Sequence, residues 1–316
     1  GIVEEISTRA EKFGAVPVLV SYLCEAGCRP ARGERRHNDP DQKKREYFER
    51  YDLGKIREIE AKEIPHWYPK DRMMHVPKDQ ECWGLLYRPG SANPKTVSDL
   101  FSKRSLWSLS AILHGIVENS KEPYLDSLTF VFHSNVFQGT IMQQYREAGG
   151  GFAKGTYYLP PIWIERNQRD CLKRKLGDVV SGLKEITNSV TSTGLTVSTD
   201  DARYLQIPTN CVDYIFTDPP YSWKVQFGEL NFIWEEWLRF DSHWHEDEII
   251  VNEVRGKTEA DWKNMMRNAI NECFRVLKPG RWLSLCYHDT AEGTWAIVQD
   301  LMAESGFIVE KSGSSG

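Results

Sequence analysis

From about residue 195 onward, apolar positions follow two alternating periods. Leu195-Thr196-Val197-Ser198 and Val212-Asp213-Tyr214-Ile215-Phe216 carry the short, β-branched and aromatic pattern of strands. Leu230, Ile233, Trp234, Trp237 and Leu238 recur at helical spacing and predict a helix over 228–240. A longer helix is expected to start at the capping pair Thr258 and Asp261, with Trp262, Met265, Met266, Ala269, Ile270, Cys273, Phe274 and Leu277 on one face. The turn Lys278-Pro279-Gly280 ends it, Arg281 to Tyr287 reads as a strand, and a further helix covers about 291–304. Gly306-Phe307-Ile308-Val309 closes the pattern as another extended segment. Strands alternating with helices predict an α/β sheet with helical cover.

The earlier part of the chain is less regular. Ser98 looks like an N-cap opening a helix to about Asn119, with Leu106, Leu109, Leu113, Ile116 and Val117 on its apolar face. Leu128-Thr129-Phe130-Val131-Phe132 is a candidate strand, and the polar stretch from Ile141 to Glu147 is expected to be helical. Glycines cluster at Gly149, Gly150, Gly151 and Gly155, and Tyr157-Tyr158-Leu159-Pro160-Pro161-Ile162-Trp163-Ile164 reads as extended chain. Five prolines between 64 and 94 exclude long helices there.

Composition narrows the class. The 316 residues are 40% hydrophobic and 27% charged, which excludes wholesale disorder and allows a sizeable core. No apolar run is long enough to span a bilayer, and the first residues have no leader-like pattern. Seven cysteines, spread thinly, do not suggest a disulfide framework, and a cytoplasmic location is expected. The chain opens on Gly1 and closes on the linker-like Ser312-Gly313-Ser314-Ser315-Gly316, which predicts a piece of something larger. The net charge is −5, yet residues 29–57 hold ten Lys/Arg against six Asp/Glu. Within that stretch Arg35, Arg36, Lys43 and Lys44 are candidates for phosphate contact, as are Arg166 and Arg169 in a second basic patch running to Lys175. A solvated, salt-bridged surface is the alternative reading of both patches.

The most informative residues are Asp218-Pro219-Pro220-Tyr221, directly after a predicted strand. Their chance occurrence in a chain of this length is about 0.1% at average residue usage. Open α/β sheets bind ligands at the carboxyl ends of their strands. An exocyclic amine is a poor nucleophile because its lone pair is delocalised into the base. Asp218 and the Pro219 carbonyl can each accept one of its N–H groups, drawing the nitrogen toward sp³ geometry. The two prolines preorganise that loop, and Tyr221 offers a face on which an extruded base can stack.

This tetrapeptide resembles motif IV of the DNA methyltransferases that modify amino groups with S-adenosylmethionine (SAM). Asp201-Ala202, Leu205, Pro208 and the run Val212 to Thr217 resemble the family's approach to that motif, and Phe274 to Trp282 resembles the helix, turn and strand downstream of it. Residues 100–310 are similar to a group of bacterial adenine-specific DNA methylases with a long insertion that carries a zinc ribbon in some members. Leu100-Phe101-Ser102-Lys103-Arg104, Gly155-Thr156-Tyr157-Tyr158-Leu159-Pro160-Pro161 and Gly228-Glu229-Leu230-Asn231-Phe232 carry that similarity. The resemblance implies an α/β fold: a partial Rossmann-like SAM-dependent methyltransferase sheet with helices on both faces, plus an irregular N-terminal insertion. It implies residues 1–97 as a loop-rich basic insertion, 98–311 as the catalytic portion and 312–316 as a tail. Methyl transfer to N6 of adenine in DNA is the expected activity, with Asp218, Pro219, Pro220 and Tyr221 catalytic and Asp201 and Asp218 at the cofactor. The alternatives are N4-cytosine or ribosomal RNA methylation, or a catalytically silent DNA-binding fragment.

Two departures qualify the resemblance. The glycine-rich turn that cradles the methionine part of SAM is not found; residues 149–155 come after a polar stretch rather than a strand, and are expected to form a loop near DNA. That turn is therefore expected from a missing N-terminal segment or a partner chain. Cys24 and Cys28 form a C-x₃-C pair, but no second pair stands at ribbon spacing even with Cys82, His37, His66 and His75 considered, so no metal is expected there. His243 and His245, with Asp241, Glu246 and Asp247, can be read as a metal cluster, but a polar loop after the helix is the expected reading. Glu229 and Asn231 either face the site or cap their helix, and Cys211, Cys273 and Cys286 are expected in the core.

Overall fold

The computed structural model describes residues 48–73, 94–145, 151, 157, 159–189, 194–288 and 292–310. The basic candidates Arg35, Arg36, Lys43 and Lys44, the cysteines Cys24, Cys28 and Cys82, and Gly149, Gly150 and Gly155 lie outside the described residues. The described chain is mixed α/β, with seven α-helices and a two-stranded parallel sheet. Chain contacts divide it into two compact units, the first formed by 1–71, 90–151 and 160–177 and the second by 72–89, 152–159 and 178–316.

The first unit is helical. Helix α1 (Leu53–Ala61) precedes an irregular, proline-containing stretch, and the 3₁₀ turn Val97–Leu100 leads into α2 (Lys103–Asn119). The cap of α2 is Ser102, which accepts from the Ser105 amide at 3.1 Å, so the helix starts later than the expected Ser98. Ser98 belongs instead to the preceding turn, closed by a Thr96/Asp99 capping box. Helix α3 (Tyr124–Val136) packs on α2 and contains the segment 128–132, which is a helix rather than the expected strand. Val131, Phe132, Asn135 and Val136 are its buried positions, a one-sided helical set. After it, Ile141 to Tyr145 is irregular and bridged rather than helical: Gln144 pairs with Gly151 and Trp163. A Cβ on Gly139 would lie 2.7 Å from Leu109 Cδ1, so any larger residue would force that buried leucine to shift. Arg104 grips Glu165 through two bonds (2.8 and 2.7 Å) and Glu60 through a third (2.7 Å). Helix α4 (Gln168–Ser189) begins in this unit and runs into the second.

In the second unit, strand β1 (Val212–Thr217) leads to helix α5 (Phe227–Leu238). Helix α6 (Glu259–Val276) comes next and passes directly into strand β2 (Leu277–Leu285), before helix α7 (Glu292–Glu304). The Thr258/Asp261 capping box expected at the start of α6 is present, with reciprocal bonds of 2.9 and 3.2 Å. The strands pair in parallel, Val212 with Leu277 and then Tyr214 with Trp282 through Thr217 with Leu285. The extra residues on β2 between those pairs are the Lys278-Pro279-Gly280 turn, which bulges out of the ladder rather than preceding it. Gly280 has φ +72°, a conformation that disfavours side chains. Lys278 and Arg281 both reach Asp213 across the bulge, at 2.8 and 3.3 Å.

Helices α6 and α7 cover one face of the sheet. Trp262, Met266, Ile270, Val298 and Leu301 form the core, with Leu285, Tyr287 and Phe307 packed against it. The opposite face is bare: Tyr214, Phe216 and Trp282 are 55%, 66% and 59% exposed. The segments 195–198 and 307–309, expected as strands, belong to no sheet among the described residues, and Leu195 and Val197 are more than 80% exposed. Cys211 and Cys286 are exposed and Cys273 is half-buried, which corrects their expected place in the core; both exposed cysteines flank this thin sheet.

Candidate active site

The Asp218-Pro219-Pro220-Tyr221 loop leaves the carboxyl end of β1, as the pattern of the sequence predicts. A clamp from α6 delivers β1 to this place. Arg275 donates to the Leu205 and Ile207 carbonyls (3.0 and 2.9 Å), and Glu272, bonded to the same guanidinium, accepts the Leu205 amide at 2.9 Å. The Asn210 and Cys211 amides then bond the Arg275 and Val276 carbonyls, and the chain enters the strand. At the far end, the Cys286 amide donates to the Thr217 carbonyl at 2.9 Å and fixes the strand ends side by side.

The Asp218 carboxylate accepts the Tyr221 hydroxyl at 2.7 Å, in a bond that is open to solvent. That bond to a carboxylate pushes the phenol above its ordinary range, so Tyr221 is a neutral donor throughout the physiological range. The Tyr221 ring is met edge-on by Tyr287 at 5.2 Å, and Tyr287 in turn stacks on Trp295 at 6.0 Å. An aromatic row thus starts at the loop and runs across the end of β2 to α7. Tyr287 and Trp295 were not legible as site residues, because only the parallel pairing of β1 and β2 brings them beside Tyr221.

The next residue, Ser222, is buried with φ +55°, a left-handed conformation costing a non-glycine residue about 1–2 kcal/mol. Three backbone bonds hold it: its amide to the Pro220 carbonyl, its carbonyl from the Val251 amide, and the Lys224 amide to the Tyr221 carbonyl. Lys224 Nζ reaches the His288 carbonyl at 3.3 Å.

Behind the loop lies a buried polar layer. Asn252 Nδ2 donates to Gln226 Oε1 (2.9 Å) and to Glu229 Oε1 (2.8 Å), while Gln226 Nε2 holds the Trp223 and Val251 carbonyls. Glu229 is fully buried, and its carbonyl accepts the Tyr157 hydroxyl. Asn231, two residues on, is exposed, and no side-chain bond caps α5. Glu248 accepts the Gly228 amide at 2.9 Å and pairs with Arg255 at 3.1 Å. A Cβ on Gly228 would come within 2.9 Å of both Glu248 and His245, so the approach of these side chains to the helix requires glycine. Lys257 donates to the Glu248 carbonyl; burial, and then the neighbouring Arg255 cation, push its ammonium down to about 8.

Asp201 is held by Arg203 (2.6 Å), which also reaches Asp247 (2.7 Å), and the guanidinium keeps the Asp201 carboxyl below the usual range. His243 pairs with Asp241 on the surface, and the buried His245 pairs with Glu235 at 2.8 Å. Among the described residues, no three His, Cys, Asp or Glu side chains converge as metal ligands. Arg166 and Arg169 belong to the first unit, Arg166 half-buried and Arg169 exposed. Among the described residues, neither strand leads directly into a glycine-rich turn. In comparisons with known proteins, the chain matches no family model, no curated protein and no solved structure.

Proposed function

We propose that this chain is the amine-binding part of a SAM-dependent DNA methyltransferase acting on N6 of adenine. The observation that carries the reading is the Asp218 carboxylate at the end of a parallel strand, in a proline-stiffened loop whose Tyr221 it orients. In this reading an extruded adenine stacks on Tyr221, and its amino group donates to Asp218 and to the Pro219 carbonyl. The lone pair is thereby freed for attack and the developing positive charge is offset. The base must share Asp218 with the Tyr221 hydroxyl, or displace it. The alternatives are N4 of cytosine, an amine in ribosomal RNA, and a silent DNA-binding fragment.

We further infer that the sheet is part of a larger Rossmann-like sheet, completed by a segment or partner chain that brings the glycine-rich turn. Parallel sheets are buried on both faces, and this one is bare over Tyr214, Phe216 and Trp282. Val180, Leu183 and Ile186 form a similarly exposed stripe along α4.

The test is methyl transfer from tritiated SAM to plasmid DNA and to ribosomal RNA, using tagged chain recovered from its native cells with its bound partners. Label is expected in DNA adenine, and Asp218→Ala is expected to leave less than about a tenth of it, the loss of one transition-state contact worth about 3 kcal/mol. Label in RNA alone selects the RNA reading. More than that residue of activity in a folded Asp218→Ala variant rejects the assigned role.

A further inference from the structure

We infer that Trp223 is a nucleobase-stacking residue, which contacts a base beside the one presented to Asp218. The inference rests on the reading of this loop as a base-modifying site.

Trp223 stands two residues after Tyr221 and is 55% exposed. It is not on a loose loop. The turn from Tyr221 to Lys224 is closed by the Lys224 amide on the Tyr221 carbonyl, and its second residue is the buried, left-handed Ser222. The Trp223 carbonyl is itself taken by Gln226 Nε2 at 2.9 Å, inside the buried Asn252 layer. Lys224 ties the turn to the end of β2 through the His288 carbonyl. The backbone on both sides of Trp223 is therefore anchored, while the indole is left in solvent. Strained backbone held by its surroundings is characteristic of functional sites. Here it holds the backbone that carries an exposed indole, five residues after Asp218 and two after Tyr221.

A base in nucleic acid fits this chemistry best. An indole has only two side-chain torsions to lose on stacking, and any base offers a π-face. Extruding one base from a strand leaves its neighbours unstacked on one side, and a second aromatic residue can recover that loss. Tyr221 and Trp223 then divide the work: Tyr221, bonded to Asp218, receives the target, and Trp223 holds an adjacent base.

The experiment measures binding of the chain to a fluorescein-labelled oligodeoxyadenylate of about 20 nucleotides by anisotropy, across a salt series. Trp223→Ala is expected to weaken binding about 5- to 150-fold, the range for one lost base–aromatic stack. The slope of log K against log salt should not change, because no phosphate contact is removed. Trp223→Phe should restore affinity to within about threefold, which a loss through unfolding would not do. Unchanged affinity in Trp223→Ala, or no measurable binding by the native sequence, overturns the inference. So does a Trp223→Ala variant that binds DNA normally but loses a protein partner. If Trp223→Ala is silent while Asp218→Ala abolishes methyl transfer, the stacking role fails and the methyltransferase reading stands. If Trp223 matters for binding and no methyl transfer occurs, the nucleic-acid contact stands and the methyltransferase reading fails.

Discussion

At the scale of single residues, the site depends on polar side chains that the surrounding fold leaves little room to move. Lys257 is the sharpest case, a nearly buried ammonium that donates to a backbone carbonyl. Its folded value of about 8 lies below the roughly 10.4 of an unfolded lysine. Between those values the unfolded chain holds more protons, so the contribution of this residue to stability rises as pH climbs from about 8 to about 10.4. Below that window Lys257 is charged in both states, and the folded state carries the full cost of its burial. In Lys257→Met this dependence disappears. The melting temperature of the variant minus that of the native chain should therefore be highest near pH 7 and fall toward pH 10. A difference that is flat with pH would mean that Lys257 titrates at its ordinary value.

At the scale of elements, the two-stranded sheet and its bare face set the expectations. Replacing Phe216 and Trp282 with lysine should shift the melting temperature of the isolated chain by no more than about 2 °C, as for ordinary surface positions. Self-association measured by light scattering should fall, because an exposed apolar face is the usual site of it. A loss of more than about 5 °C would show that the chain itself covers this face. The elements were unevenly legible in the sequence. Helices α5, α6 and α7 were readable because their apolar stripes meet a core, and the loop at 218–221 because its chemistry is local. The segment 128–132 misled because its β-branched and aromatic residues favour strands, yet packing on α2 overrides that propensity. Helix α4 escaped notice because its apolar positions are diluted by lysines and arginines and interrupted by Gly177 and Gly182. Residues 195–198 and 307–309 have strand patterns, but a strand also needs a neighbour, which the described residues do not supply. The buried layer of Gln226, Glu229, Glu248 and Asn252 was hidden for another reason. Its members are polar and bond across 20 to 26 residues of sequence, beyond any local pattern.

At the scale of the whole molecule, the proposed division of the site predicts weak cofactor binding by this chain alone. In the proposed reading Asp201 and the Asp218 loop are the cofactor-side elements among the described residues, and neither is a glycine-rich turn. Calorimetric titration with SAM should give a dissociation constant near 1 mM or weaker, about 4 kcal/mol of binding free energy. Addition of the completing segment or partner should restore micromolar affinity. Tight binding, with a dissociation constant of about 10 μM, by this chain alone would reveal a cofactor site elsewhere, and Gly149 to Gly155 would be the first place to seek it.

The bare sheet face also has a consequence for gene dosage. A chain whose apolar face is covered only in an assembly gains stability in proportion to the logarithm of its partner's concentration. Copies made in excess keep Tyr214, Phe216 and Trp282 in water, and such copies are the substrates that cellular proteases and chaperones remove. If the sheet is completed as proposed, the amount of this chain in the cell follows the supply of whatever covers β1 and β2, however strongly its own gene is expressed.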